Sequence, residues 1–565
     1  MKRVILFSCT ISTILCYQWD LKADLGNCRP DCDSQIFCRG EILHDVQTTR
    51  VFNDGTTFVE KRLLYPESQI VQKYKKLKQQ SRGRVTKDQL RKFVDENFAN
   101  DSLPACNFTD FNPNPTILQS TTKEKYKRWL SWLNYRWIDL GGELDPSVKK
   151  NPELHSYLYV PNKFVKAGGR FTGTYYWDSY WIVKGLLLSD MTETARGMIE
   201  NIIYLVNRLG HMPNGNRNYY SQRSQPPLLI QMAAEYLEFT GNATFIKKNL
   251  KNLEKEFQFW DDHRSVDVEK RGKIYRMYRY KTLSCDPRPE SYYEDYNLVK
   301  NISDPGVKMQ ILTGVRSAAE TGWDFSSRHI RGVNNSNIGT LRRMDTMDMI
   351  YVDLNSIIHA NLKLLAEWER SFGTFQDAQY YQDKADRLLD AIEAVLWNNE
   401  VGSWLDYDLV TEQSRNYFYV SNLTPLWSES YKSMSKITCI INYLKKQRII
   451  NENLTPRYYC LPTSVDNSTQ QWDYPNCWAP LQAFAIHGLE KSDNREAKTI
   501  AFNLAQAWIR TTYEGFRNST EMYEKYDALR LGSSGGGGEY VPQTGFGWTN
   551  GLCMDFFHTW GDQLQ

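Results

Sequence analysis

The sequence predicts an all-α fold with long functional loops. Apolar residues recur at helical spacing in one segment after another, and the eight alternating β-rich strands that a TIM barrel requires are not found. No Gly/Ser or Pro linker and no fixed-period repeat divides the chain, so one large helical unit is expected.

The clearest helix carries Ala195, Met198, Ile199, Ile202, Val206 and Leu209 on one face, with Asp190 and Glu193 spaced as a capping box and Gly210 as terminator. Further helices are expected from Pro227 (Leu229, Met232, Ala233, Tyr236), from Asp353 (Leu354, Ile357, Ile358, Leu365) and from Asp383 (Ala385, Leu388, Leu389, Ile392, Leu396). Others are expected around 432–448, 479–489 and 494–511. The connections 211–226, 281–297, 318–345, 456–478 and 530–550 are long and rich in Gly, Pro, Asn, Tyr and Trp. Loops of that length inside a compact unit carry function more often than they merely connect.

Composition narrows the chemistry. Seventeen Trp, 35 Tyr and 24 Phe are present, many in loop contexts, as a pocket lined with rings requires. The charge is nearly balanced, 69 basic against 66 acidic residues, and no basic stripe tracks a phosphate backbone, so nucleic acid is not an expected partner. None of the eight His forms an HExxH pair or a helical metal-ligand spacing, so neither a metal nor a cofactor is expected. Lys2 and Arg3 followed by two short apolar runs read as a signal peptide over residues 1–18. No later stretch is long and apolar enough for a membrane span, and the end lacks a tail for lipid-anchor exchange, so a secreted, extracellular protein without a membrane anchor is expected. Nine Asn-x-Ser/Thr sequons, at Asn100, Asn107, Asn242, Asn301, Asn334, Asn422, Asn453, Asn467 and Asn518, agree with a glycoprotein. Eleven Cys, with Cys28, Cys32 and Cys38 clustered near the start, point to disulfides whose connectivity stays open.

The most informative block is residues 166–181, KAGGRFTGTYYWDSYW, which crowds Arg170, Tyr175, Tyr176, Trp177 and Asp178 around paired glycines. Arginine forks, carboxylates and ring faces suit a polyhydroxyl ligand; the alternative is an ordinary Arg170–Asp178 ion pair. Further along stand PNGNR (213–217), RSQPP (223–227), RPES (288–291), TGWDFSSR (321–328), QWDYPNCWAP (471–480), EKYD (524–527) and GGGGEY (535–540). In this order the blocks resemble those of the trehalase family of glycoside hydrolases, over roughly residues 35 to 555. Ala167 stands where the first signature has proline, Thr172 to Thr174 replace a stretch that usually includes a glutamate, and Cys477 replaces a glycine of the second signature.

The resemblance implies an (α/α)6 barrel over residues 61–565, with the Cys-containing segment 19–60 packed on it, and inverting hydrolysis of α,α-trehalose to two glucose molecules. It also implies Asp324 as general acid and Glu524 as general base. Inversion needs such a pair, a protonated carboxyl beside the glycosidic oxygen and an ionised one holding water on the opposite face. Motif by motif, the implied sugar-binding residues are Arg170, Trp177, Asp178, Asn214, Arg223, Ser224, Gln225, Arg288, Pro289, Glu290, Gly322 and Glu539, with Gly535 to Gly538 as a lid that brings Glu539 in. Without the resemblance, Asp324 reads as a helix cap and Glu524 as a surface charge. A catalytically silent sugar-binding relative, or a helical-barrel glycosidase or phosphorylase acting on another α-glucoside, are the alternatives. The oligomeric state is left open.

Overall fold

The computed structural model describes residues 28–104 and 106–565; the expected signal peptide 1–18, with Cys9 and Cys16, lies outside them. Twelve helices dominate. In chain order they are α1 (Glu124–Asp139), α2 (Asp178–Leu188), α3 (Thr192–Leu209), α4 (Leu229–Thr240), α5 (Ala243–His263), α6 (Val352–Phe372), α7 (Phe375–Ala391), α8 (Thr424–Trp427), α9 (Ser435–Lys446), α10 (Ala479–Lys491), α11 (Arg495–Ser519) and α12 (Gly547–Trp560).

The even-numbered helices form a closed inner ring: α2 packs on α4, α4 on α6, α6 on α8, α8 on α10, α10 on α12, and α12 back on α2. The odd-numbered helices pack outside it, α3 on α2, α5 and α7 on α6, α11 on α10 and α1 on α12. This is the expected (α/α)6 barrel. Sequence patterning sorts the two layers. In α3, Ala195, Met198, Ile199, Ile202 and Val206 are buried while Glu193 and Arg208 face solvent, the stripe of a helix covered on one side. In α2 and α12 nearly every residue is buried, because each is enclosed by ring neighbours and an outer helix.

Ring closure depends on two glycines. A Cβ on Gly551 of α12 would lie 2.0 Å from the Trp181 carbonyl of α2, and one on Gly185 would lie 2.8 Å from the Gly551 Cα. No residue with a side chain fits that contact, so the first and last inner helices meet backbone to backbone.

Several helix boundaries differ from expectation. The Asp190/Glu193 capping box is absent: Met191 is the N-cap, and the Asp190 carboxylate accepts instead from Asn112 and from the amide and hydroxyl of Thr116. Gly210 does terminate α3, with φ 85°. Helix α7 begins at Phe375, ahead of Asp383, because Thr374 caps it by accepting from the Asp377 amide. Helices α1, α5 and α12 and the helix Pro305–Glu320 escaped the sequence reading. In α12 aromatic, polar and small residues alternate without a simple apolar stripe, whereas α1 does carry one, Tyr126, Trp129, Leu130, Leu133 and Trp137 being buried on one face.

Short antiparallel pairs lock the loops. Asn476–Trp478 pairs with Lys525–Asp527, so that Trp478 lies opposite Lys525. Disulfides join Cys28 to Cys285, Cys32 to Cys38 and Cys460 to Cys477, while Cys106, Cys439 and Cys553 are free thiols. Cys477 thus ties the second signature to the loop before it. One sequon is not available for glycosylation in the folded chain: Asn422 is 1% exposed and its amide donates to the Tyr417 carbonyl and the Tyr443 hydroxyl.

Gly551→Ala is expected to destabilise the fold by about 1–3 kcal/mol through overpacking at the ring closure, read as a lower denaturant midpoint. An unchanged midpoint would mean that α2 and α12 can separate freely.

Candidate active site

All five long loops meet at the N-terminal ends of the inner helices and line one concave site. The loop before α4 contributes Asn214, Tyr220, Arg223 and Gln225; residues 281–297 contribute Arg288, Glu290 and Ser291; residues 318–345 contribute Gly322 and Asp324. Trp472 and Trp478 enter from the second signature, Glu539, Tyr540, Phe546 and Trp548 from the last loop, and Arg170, Trp177 and Asp178 from the first block.

The loop segment around Asp324 is anchored from below. The Arg328 guanidinium is fully buried and donates to both oxygens of Asp353, at the start of α6, at 2.8 and 2.9 Å, and to both oxygens of Asp406 at 2.7 and 2.9 Å. Asp473 of the second signature accepts from the Ser326 hydroxyl at 2.9 Å and the Ser327 amide at 2.7 Å. Gln471 donates to the Asp324 carbonyl at 2.6 Å and accepts from Lys525 Nζ at 2.8 Å. One amide side chain therefore links the segments carrying the two candidate carboxyls. Indoles complete the floor: Trp472 stacks on Trp478 with ring centroids 3.8 Å apart, and on Trp323 at 5.7 Å.

The arginines are preorganised by carboxylates. Arg223 donates to Glu290 at 2.5 Å; Arg288 is held in a bidentate pair by Asp295 at 2.9 and 2.8 Å and reaches Glu539 at 3.2 Å. Arg170 pairs with Asp54 at 2.7 Å and not with Asp178, which removes the ordinary-ion-pair reading of the first block. Burial pushes the Asp178 carboxyl up to about 8, helped by the like charges of Glu524 and Asp324. Burial likewise raises Glu539 to about 7 against the pull of Arg288.

The candidate acid and base occupy different environments. Burial raises Asp324 above its ordinary value, with Arg288, Arg223 and its own backbone amide opposing, and among the described residues no side chain donates to its carboxyl. Glu524 is 1% exposed and is also raised by burial, but Lys525, the Tyr540 hydroxyl, the Gln543 amide and Arg170 all favour its ionised form. Tyr540 donates to Oε1 at 2.8 Å and the Gln543 amide to Oε2 at 3.2 Å. Neither residue is the helix cap or surface charge that the bare sequence allows.

Of the residues expected at the site, Ser224 and Pro289 do not line the cavity. Ser224 shapes the loop: its amide donates to Glu320 and its hydroxyl to the Met212 carbonyl. Pro289 opens a short 3-10 turn, and its carbonyl accepts from Gln47. The reading missed Thr56, Tyr220, Ser291, Tyr540 and Trp548 as lining residues. Thr56 was not legible because it arrives from the distant N-terminal segment, where Asp54 accepts from both Thr56 and Arg170. Tyr540 directly follows Glu539 in GGGGEY, and that adjacency was the available signal.

Among the described residues one group of three carboxylates is spaced to hold a metal, Glu254, Glu369 and Asp377, and none of these lines the cavity. The Lys251 ammonium sits among them at 3.0, 3.1 and 3.1 Å.

The sequence matches the trehalase family over residues 50–561. It is 40% identical to a trehalase of Apis mellifera, covering 94% of this chain and 85% of that protein. It is 39% identical to a trehalase of Homo sapiens, covering 95% and 91%. The neutral trehalase of Saccharomyces cerevisiae superposes with a TM-score of 0.56 over 70% of this chain and 73% of that one, at 22% identity, a likeness of fold. With its closed helical barrel and the loops that converge at one mouth, the chain belongs to the trehalase family.

Proposed function

We propose that this protein hydrolyses α,α-trehalose with inversion, Asp324 protonating the glycosidic oxygen and Glu524 activating the attacking water. The observation that carries the assignment of roles is the contrast in donors: two hydrogen bonds converge on Glu524, while no side chain among the described residues donates to the Asp324 carboxyl. Both carboxyls are raised by burial and both have cations nearby; the one with no side-chain donor holds its proton more readily than the one held by a phenol and the Gln543 amide.

The step balances with one water. As the C1–O bond lengthens, Asp324 transfers its proton to the departing glucose oxygen. Water attacks the same C1 from the opposite face and loses a proton to Glu524. One glucose leaves with its α configuration retained, and the other is released as the β anomer. Neutral hydroxyls offer weak individual hydrogen bonds, so recognition needs many fixed partners. Arg170, Arg223 and Arg288 are immobilised by their own carboxylates, and Asn214, Gln225, Glu290 and Glu539 supply further donors and acceptors around the ring-lined cavity. Asp178, protonated below about pH 8, can both donate and accept.

We also propose that the enzyme acts outside the cell. Three disulfides support this, since such bonds persist in oxidising compartments.

Proton NMR of the protein mixed with trehalose is expected to show equal initial α- and β-glucose before mutarotation; α-glucose alone would mean retention and sink the mechanism. Asp324→Asn and Glu524→Gln are each expected to lower kcat by at least ~100-fold with unfolding midpoints close to the parent's, the usual worth of proton transfer. Near-normal turnover in either variant refutes that residue's role. Expressed in a secretory host, the chain should reach the medium with a mature terminus near residue 19; retention of full-length protein in the cytosol would refute export.

A further inference from the structure

The last loop crosses the cavity and is tied down on the way. The Asn476 side-chain amide exchanges two hydrogen bonds with Gly536, at 3.0 and 2.9 Å, and Lys525 Nζ donates to the Gly537 carbonyl at 3.2 Å. The Glu539 carboxylate accepts from Arg288 and Ser291, each at 3.2 Å. Gly538, with φ 94°, packs so closely on the second signature that a Cβ there would lie 2.5 Å from Gln471 Oε1. The next residue after Glu539 then places its phenol on Glu524. The Tyr540 ring is held edge-on by Phe171, with centroids 5.4 Å apart, and lies under the Arg170 guanidinium at 4.6 Å. Its hydroxyl position is therefore set jointly by the loop and by the first signature block.

We propose that Tyr540 is a positioning residue for water activation, through which the 535–540 loop makes Glu524 competent when it lies across the cavity. The proposal rests on the reading of Glu524 as general base. A base must present an ionised oxygen in a defined orientation, and a carboxylate with a donor on each oxygen meets both needs. Five charged or titratable groups surround Glu524: Lys525 and Arg170 favour its ionised form, Tyr540 adds a hydrogen bond to it, and Asp178 and Asp324 oppose it only when they are themselves ionised. Of these side chains only Tyr540 belongs to the loop over the cavity, and the Gln543 amide, three residues further along that loop, holds the other carboxylate oxygen. Burial holds its phenol far above the ordinary tyrosine range, so it remains a neutral donor wherever the enzyme works. Oε1 keeps a second lone pair for the water.

Tyr540→Phe keeps the ring and its contacts and removes the donor. Because that donor is a hydrogen bond to a charged group, kcat for trehalose is expected to fall by about 10- to 100-fold, with KM nearly unchanged. The sign of the pH effect follows from the base working ionised. Losing a donor makes Glu524 hold its proton more tightly, so the acidic limb of the kcat profile should move to higher pH. An unchanged kcat and limb would overturn the proposal. So would a lower kcat with the limb unmoved, because a merely structural defect scales activity equally at every pH. Glu524→Gln measured alongside separates the two readings. If it retains near-normal turnover, the base assignment fails and the positioning role falls with it. If it is inactive while Tyr540→Phe behaves as the parent, the positioning role alone fails.

Discussion

The structure depends on the closure of the inner ring, where α2 and α12 approach until Gly185 and Gly551 leave no room for a Cβ. These helices are far apart in sequence, and their contact brings the first block, with Arg170 and Asp178, beside Glu524 and the last loop, with Glu539 and Tyr540. Once the ring is closed, six helix N-termini point toward one mouth. The segments that precede them have nowhere else to converge.

The mouth is rich in charge yet its charged side chains are buried or half-buried, and this has consequences for every group in it. Burial alone would neutralise all its carboxyls. Pairing decides which remain ionised: Glu290 lies with Arg223 and Arg288 and is held below its ordinary value, whereas Asp178 has no cationic partner among the described residues and is raised to about 8. Deeper charges serve as anchors. Arg328 between Asp353 and Asp406 fastens the Asp324 loop to the barrel wall, and removing either carboxylate would leave a buried cation half satisfied. The same segment is held from above by Asp473, so its position is determined from both sides.

Departures from the family signatures become intelligible in this setting. Cys477, in place of glycine, pairs with Cys460 and fastens the strand that lies against Lys525–Asp527. Gly173 falls within the stretch that usually includes a glutamate; a Cβ there would lie 2.4 Å from Asn216 Oδ1, and Asn216 uses that oxygen to accept from the Thr174 amide. Nearby, Arg217 has Glu60 from the N-terminal segment at 3.5 Å. The carboxylate near this arginine thus comes from a different part of the chain.

The sequence by itself determined what is local or written as a motif. Helix α3 was legible because its apolar face repeats at the helical period and Gly210 ends it; the long loops were legible from their Gly, Pro and Asn content, except that residues 292–297 of the expected loop 281–297 belong to the helix Tyr292–Val299. The residues brought to the cavity by motif, from Arg170 to Glu539, were legible because the blocks stand in family order. Tertiary structure alone decided the rest. Helix α12 shows no clean periodicity because a helix enclosed on all sides needs no polar face. Thr56 and Asp54 reach the site only because the N-terminal segment packs beside Arg170. The Tyr540–Glu524 hydrogen bond exists because a loop fastened to Asn476, Lys525 and Arg288 has one place to put its next side chain. Such contacts join residues with no sequence period between them. They arise when burial forces distant polar groups either to pair or to lose their charge.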